Sequence, residues 1–148
     1  MTTVKRILVA TDFGESSAKA ASLAVEFAIV MKSALTLIHV VDYHPLYGYE
    51  FELPVDPMPR LETAAKAALA EELARIVRDV PQASGTLKTG VPSEAILSFA
   101  KGDATDLLVV GTHGYRGVKG LLLGSVAEKL VRLSPVPVLT VHAAPHPK

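Results

Sequence analysis

Two hydrophobic patterns alternate along this 148-residue chain, and their order constrains the fold more than any other feature. Short runs of branched apolar residues predict five strands, over residues 4–11, 34–41, 83–90, 104–111 and 136–142. Apolar residues at spacings of three and four predict four helices between them, over residues 15–32, 61–80, 91–102 and 125–134. The stripe of the first helix is made of Ala20, Leu23, Ala24, Phe27, Val30 and Met31. This βαβαβαβαβ order predicts one α/β domain, residues 1–148, with a parallel sheet covered by helices on both faces.

Residues 42–60 interrupt the alternation. They hold four of the ten prolines and three of the four tyrosines, so we predict a long loop there. Loops of this length in compact domains are usually functional or mobile.

Composition excludes several kinds of function. Lysine plus arginine and aspartate plus glutamate number 15 each, so no net positive field exists to attract nucleic acid or an anionic membrane. The absence of cysteine excludes disulfides, thiolate metal sites and cysteine nucleophiles. The apolar runs are shorter than a membrane span, and the first residues lack the pattern of a secretory signal. We expect a cytoplasmic protein without a nucleic-acid or membrane partner.

Half of the glycines are concentrated in one segment, "VVGTHGYRGVKGLLLGSVAEKL", residues 109–130. They occupy positions 111, 114, 117, 120 and 124, between a predicted strand and a predicted helix. Each glycine costs conformational entropy to fix, so this concentration indicates a backbone that approaches another group closely. The start of the next helix, at Ser125, has N–H groups without intrahelical partners and a positive dipole end, which favour an anion. With Arg116 and Lys119 as charge partners, the segment predicts a polyphosphate site.

Helix capping is a second interpretation of some of these residues. "SVAE" has the form of a capping box, with Ser125 as the N-cap and Glu128 reaching back, and Asp12-x-x-Glu15 has the same form at the first helix. A cap needs no ligand, although a hydroxyl at a helix start can serve both purposes. Capping and phosphate contact both stay open for Ser125, where the glycine spacing favours the phosphate site. For Asp12, the alternative to capping is contact with a bound ligand.

The glycine spacing also carries a resemblance to a known family. Gly111-x-x-Gly114, nine residues, then Gly124-Ser125 matches the G-2x-G-9x-G-S/T nucleotide-binding signature of the universal stress protein family. Five further stretches resemble that family in the right order: "RILVATDFGESSAKA", "LTLIHVV", "GVPSEAI", "TDLLVVGTHG" and "SPVPVLTV". The chain therefore resembles the ATP-binding branch of the family over nearly its whole length.

The resemblance implies a Rossmann-like, three-layer domain of the adenine nucleotide alpha hydrolase type, with a five-stranded parallel sheet in the order 3-2-1-4-5. It implies that the domain binds ATP, or ADP or AMP, with Mg²⁺ held largely by phosphate oxygens and water. The residues implied to surround the nucleotide run from the adenosine to the phosphate chain: Ala10, Thr11 and Asp12; Val40 near the adenine; Val110 and Gly111; then Gly114, Gly124, Ser125 and Val126. His113 lies between two signature glycines and is expected to pack against the nucleotide.

Three features differ from this pattern or lie outside it. Gly14 replaces a serine that the family commonly has, which weakens the expected cap of the first helix. The 42–60 loop is long for the family, so its contacts are not carried over. His39 lies inside the second strand and is expected to be buried and hydrogen-bonded rather than to act as a ligand.

The leading functional hypothesis is a dimeric, nucleotide-dependent switch in a stress response, acting on an unidentified regulatory partner. The last strand is expected at the edge of the sheet. Antiparallel pairing of Val138 to Val141 with a second copy would cover that edge and give a homodimer, as the resemblance also implies.

Enzymatic alternatives have less support in the sequence. A slow ATPase or a nucleotidyl-transferring enzyme on the same fold is the second hypothesis, but no G-x-x-x-x-G-K-[ST] loop is present. No residue is evident that would position water against a γ-phosphate, so we assign no catalytic residue. A phosphoacceptor domain would need an aspartate at the end of the third strand, which instead ends in Thr89-Gly90.

Overall fold

The computed structural model describes residues 3–42, 56–113 and 123–143, where strands and helices alternate in the predicted order. The strands are β1 (Arg6–Ala10), β2 (Ala34–Asp42), β3 (Ser84–Gly90), β4 (Leu107–Gly111) and β5 (Val138–Val141). The helices are α1 (Glu15–Met31), α2 (Met58–Ile76), α3 (Pro92–Gly102) and α4 (Ser125–Leu133).

The strands form one parallel sheet in the order β3-β2-β1-β4-β5. Central β1 pairs with β2 on one side and with β4 on the other, so that Val9 lies opposite both Leu37 and Val109. Both the predicted α/β sandwich and the strand order implied by the resemblance are confirmed.

Alternate residues of β1 are buried on opposite faces of the sheet, as the period of a strand requires. Ile7 and Val9 join a core beneath α1 and α2, whereas Leu8 and Ala10 join a second core beneath α3 and α4. None of these four side chains is more than 7% exposed. The sheet is therefore covered on both faces, so polar groups can meet only at the ends of its strands.

The first helix faces the sheet with smaller residues than its predicted stripe. Its buried positions are Ser16, Ser17, Ala20, Ala21, Ala24, Val25 and Ala28. Val30 is 80% exposed, so its assignment to the stripe is wrong. It follows buried Ala28 by two residues, which places it about 200° around the helix from that alanine.

The second helix begins earlier than predicted. It starts at Met58, so the last three residues of the predicted 42–60 loop are helical. Proline is tolerated in a first helical turn because its missing N–H would have no intrahelical partner there, so Pro59 does not prevent this start. The helix ends at Ile76 rather than near Pro81. Residues 43–55 of the predicted loop lie outside the described residues.

The strands are shorter than predicted by one or more residues at several ends; β1, for example, was predicted over 4–11 and runs from Arg6 to Ala10. Within the described ranges, no helix is both long and apolar enough to cross a membrane.

Candidate functional site

A cavity of about 470 Å³ opens at the carboxyl ends of β1, β2 and β4. Strand order reverses at this point. From β1 the chain adds β2 and β3 on one side of the sheet, and it then adds β4 and β5 on the other side of β1. In open α/β sheets, ligands bind in the crevice at such a reversal. The cavity is therefore the candidate functional site.

Ten of the eleven site residues expected from the sequence line this cavity. They are Ala10, Thr11, Asp12, Val40, Val110, Gly111, His113, Gly124, Ser125 and Val126. The eleventh, Gly114, lies outside the described residues, as do Arg116 and Lys119.

One wall of the cavity is apolar and is formed by the sheet itself. Ala10, Ile38, Val40 and Val110 each contribute a side chain that is at most 7% exposed. Ile96 of α3 continues this wall. Ligand pockets are lined mostly by apolar side chains, with a few polar groups that fix the orientation of the ligand.

Asp12 supplies a carboxylate to the lining of the cavity. Its Oδ1 accepts hydrogen bonds from the Gly14 N–H and from the Ser17 hydroxyl, both at 2.8 Å. The N-cap of α1 is Gly14, and in the part of the chain that the structure describes no side chain caps this helix. The capping-box interpretation of Asp12 and Glu15 is therefore wrong: Asp12 closes the turn before the helix, which fixes the direction of its carboxylate.

The start of α4 forms the end of the cavity near the glycine-rich segment. Gly124 is the N-cap and Ser125 the first helical residue, and no side chain among the described residues caps this helix. Glu128 instead pairs with Arg132, 3.5 Å away. The capping-box interpretation of Ser125 and Glu128 is wrong as well, and the main-chain donors of the first turn are left to other partners.

Gly111 has a role that the glycine spacing did not reveal. It lines the cavity, yet a Cβ at this position would overlap the Ser16 hydroxyl and lie 2.7 Å from the Ser17 nitrogen. The glycine is thus required for the close approach of β4 to α1, whether or not a ligand is bound. Ser16 also donates to the main-chain oxygen of His113 at 2.7 Å, which ties the beginning of the glycine-rich segment to α1.

The two ends of that segment are held together. The Gly124 N–H donates to the Thr112 oxygen, and the Thr112 N–H donates to the Val141 oxygen at 3.0 Å. The hydrogen bonds place the beginning and the end of residues 113–123 side by side at the cavity rim.

His39 is half-buried on β2 and lines the cavity. Its Nδ1 lies 2.7 Å from the Thr11 main-chain oxygen, and its ring packs on Phe13 with a centroid distance of 4.3 Å. The predicted hydrogen bond is therefore present, and the predicted burial is only partial.

Glu72 was missed at the sequence level. This α2 carboxyl group is only 8% exposed and accepts a hydrogen bond from Thr11 Oγ1 at 3.1 Å. Burial raises its pKa above the usual 4.5, and the charge of Asp12 adds to that effect; the Thr11 hydrogen bond and Arg75 oppose it. The sequence did contain a signal, since Glu72 lies three residues after Leu69 and four before Ile76, within the apolar stripe of its helix.

No group of three or more histidine, cysteine, aspartate or glutamate side chains suited to a metal ion occurs in the part of the chain that the structure describes.

The chain is similar to universal stress proteins in sequence and in structure. Residues 3–142 match the Universal stress protein family. A universal stress protein of Thermus aquaticus is 37% identical over 137 residues, covering 93% of this chain and 98% of its own. The structure of MJ0577 from Methanocaldococcus jannaschii is 25% identical, with a TM-score of 0.81, and the match covers 98% of this chain and 100% of that one. A universal stress protein solved in complex with cAMP is also 25% identical, with a TM-score of 0.74 over 97% of this chain and 100% of that chain.

Proposed function

The chain belongs to the universal stress protein family, and on this premise we propose that its cavity binds an adenine nucleotide. ATP is the proposed physiological ligand, with ADP or AMP as related ligands and Mg²⁺ accompanying the phosphates. Nucleotide binding would make the protein a switch in a stress response. The proposal is supported by a relative of similar fold that was solved in complex with cAMP.

One observation carries the proposal: a single cavity joins an apolar wall, an oriented carboxylate and an uncapped helix start. The adenine would lie against the wall near Val40. Asp12 would accept a hydrogen bond from the ribose, because a carboxylate is the usual partner of a ribose hydroxyl in nucleotide sites. The phosphates would lie at the start of α4, where main-chain N–H groups and the helix dipole favour negative charge.

Gly124→Val tests this assignment. Gly124 has φ −70° and ψ 166°, an extended conformation that valine adopts readily, so the fold should tolerate the substitution. The added side chain would obstruct the approach of phosphate to the helix start. We expect isothermal titration calorimetry to detect ATP binding to the wild type and at least about a hundredfold weaker binding to the variant, since phosphate contacts at a helix start are lost together.

The matched control is Gly102→Val, at the far end of α3, where an added Cβ would meet nothing within 4 Å. It should bind ATP as the wild type does. Equal affinity of all three proteins would contradict the placement of the phosphates, and no binding by the wild type would contradict the nucleotide proposal.

A turnover assay separates the switch from the enzyme alternative. The switch requires only binding, so we expect hydrolysis to be far slower than about one event per second, the low end of ordinary enzyme rates. Hydrolysis faster than about one event per second would favour the enzyme alternative on this fold.

A further inference from the structure

A hydrogen-bonded series of side chains leads from buried Glu72 to the cavity. Glu72 Oε2 lies 3.1 Å from Thr11 Oγ1, which lies 3.3 Å from Ser17 Oγ. Ser17 in turn donates to Asp12 Oδ1 at 2.8 Å. We call these four residues the hydroxyl chain. Glu72 does not itself line the cavity, so it reaches the site only through the other three.

The direction of the hydrogen bonds depends on whether Glu72 carries a proton. A hydroxyl group has one hydrogen to donate, and Thr11 Oγ1 already accepts the Phe13 N–H at 3.0 Å. An ionised Glu72 can only accept, so it takes the Thr11 hydrogen. A protonated Glu72 can donate to Thr11, whose hydrogen then becomes available to Ser17, and Ser17 donates to Asp12.

We propose that Glu72 is a positioning residue for the nucleotide site, and that its protonated form aligns the hydroxyl chain so that Asp12 is held ready for the nucleotide. The inference rests on the proposed nucleotide binding. Aligned hydrogen bonds strengthen one another in a buried environment, so the protonated chain holds Asp12 more firmly.

The surroundings of Glu72 favour the protonated form. Its burial raises its pKa and is the largest effect, and negative Asp12 acts in the same direction, while the Thr11 hydrogen bond and Arg75 on its own helix act against it. From β2, His39 contacts the main-chain oxygen of Thr11 rather than its hydroxyl. On β3, Lys88 does not face Glu72. Its Nζ lies 5.8 Å from the centroid of the Phe99 ring in α3, and α3 covers the face of the sheet opposite to α2.

The sign of the pH effect follows from linkage. If the protonated form binds the nucleotide more tightly, affinity must fall as pH rises through the Glu72 pKa, and binding must take up protons in that range. The Glu72→Gln substitution would mimic the protonated carboxyl, because the amide that it introduces can donate to Thr11 at all pH values.

The experiment measures cAMP affinity by calorimetry from about pH 5 to about pH 8.5, with wild type and Glu72→Gln side by side. cAMP is chosen because its phosphodiester does not titrate in this range. We expect wild-type affinity to fall about threefold to tenfold with rising pH, the equivalent of one hydrogen bond, and the variant to keep the low-pH affinity throughout. Titrations in two buffers of different ionisation enthalpy should show proton uptake for the wild type alone.

Two further variants make the outcome specific. Glu71→Gln, at the exposed neighbouring position of α2, should retain the wild-type pH profile. Ser17→Ala interrupts the hydroxyl chain without touching Glu72, so it should bind cAMP more weakly and lose the pH dependence. It also serves as the test if Glu72→Gln does not fold.

The possible failures are distinguishable. Parallel pH profiles for wild type and Glu72→Gln, or a pH-dependent Ser17→Ala, would overturn the role of Glu72 while leaving nucleotide binding intact. Absence of cAMP and ATP binding by the wild type at every pH would overturn the nucleotide proposal, and this inference with it.

Discussion

At the scale of single residues, Gly111 and Gly124 show that one glycine pattern can serve two purposes. A side chain at 111 would collide with α1, whereas 124 has an extended backbone that other residues could adopt. Sequence spacing predicted both as ligand residues. It could not distinguish them, because the close packing of β4 on Ser16 is a tertiary contact between distant parts of the chain.

Gly111→Ala should therefore destabilise the fold itself. The added methyl group has to displace main-chain atoms of Ser16 and Ser17, and overpacking of this kind costs about 1–3 kcal/mol. Urea denaturation measures the loss. Gly102→Ala is the control and should be neutral or slightly stabilising, because its surroundings are open. Similar stabilities for the two variants would contradict the proposed close packing.

At the scale of whole elements, the order and type of strands and helices were predictable, because each has its own hydrophobic period. The outward orientation of Val30 and the early start of α2 were not predictable from local patterns. Small residues, mostly serine and alanine, face the sheet from α1 because they allow the helix to approach it closely. A search for regularly spaced apolar residues does not single out such small residues. In α2, Pro57 and Pro59 indicated a loop, although Pro57 is the N-cap and Pro59 lies in the first turn, where proline is accepted.

The attachment of α2 to the sheet should depend on pH through Glu72. The folded-state pKa of this group is raised above 4.5. Between the unfolded and the folded pKa, the folded chain therefore holds a proton that the unfolded chain releases. The stability that it contributes is fully present below the unfolded pKa and is lost as pH rises through the folded pKa.

We therefore expect the unfolding free energy of the wild type to fall relative to that of Glu72→Gln above about pH 4.5, by at most about 1.4 kcal/mol per pH unit. Denaturation curves at a series of pH values measure this difference. Glu71→Gln, which alters an exposed group, should follow the wild type. A constant difference between wild type and Glu72→Gln would show that Glu72 has the same pKa in both states.

At the scale of the whole molecule, β5 lies at one edge of the sheet and pairs with β4. The Pro137 oxygen accepts a hydrogen bond from the Leu108 N–H of β4. The Val141 oxygen accepts one from the Thr112 N–H, which directly follows β4. Since successive residues of a strand point their main-chain groups to opposite sides, Val138 and Thr140 direct theirs toward the free edge. We propose that a second copy of the chain pairs with this edge in an antiparallel homodimer.

Thr140→Pro tests the dimer with little effect on the sheet. Proline removes an N–H that faces away from β4, so the internal ladder is retained while pairing across the edge is interrupted. We expect analytical ultracentrifugation to show a dimer for the wild type and a monomer for this variant. Thr140→Val keeps the N–H and should stay dimeric. A dimeric Thr140→Pro would show that the copies meet elsewhere, and a monomeric wild type would contradict the homodimer.

The hydrogen bond between Gly124 and Thr112 has a consequence for how such a domain can diversify. Because both ends of the intervening stretch are anchored to the scaffold, inserting or exchanging residues there leaves the strand ladder and the helix start where they are. Doubling the length of such a closure costs only about 0.6 kcal/mol. Changes of sequence or length between Thr112 and Gly124 can therefore alter which ligand is preferred, while the strands and the start of α4 keep their positions.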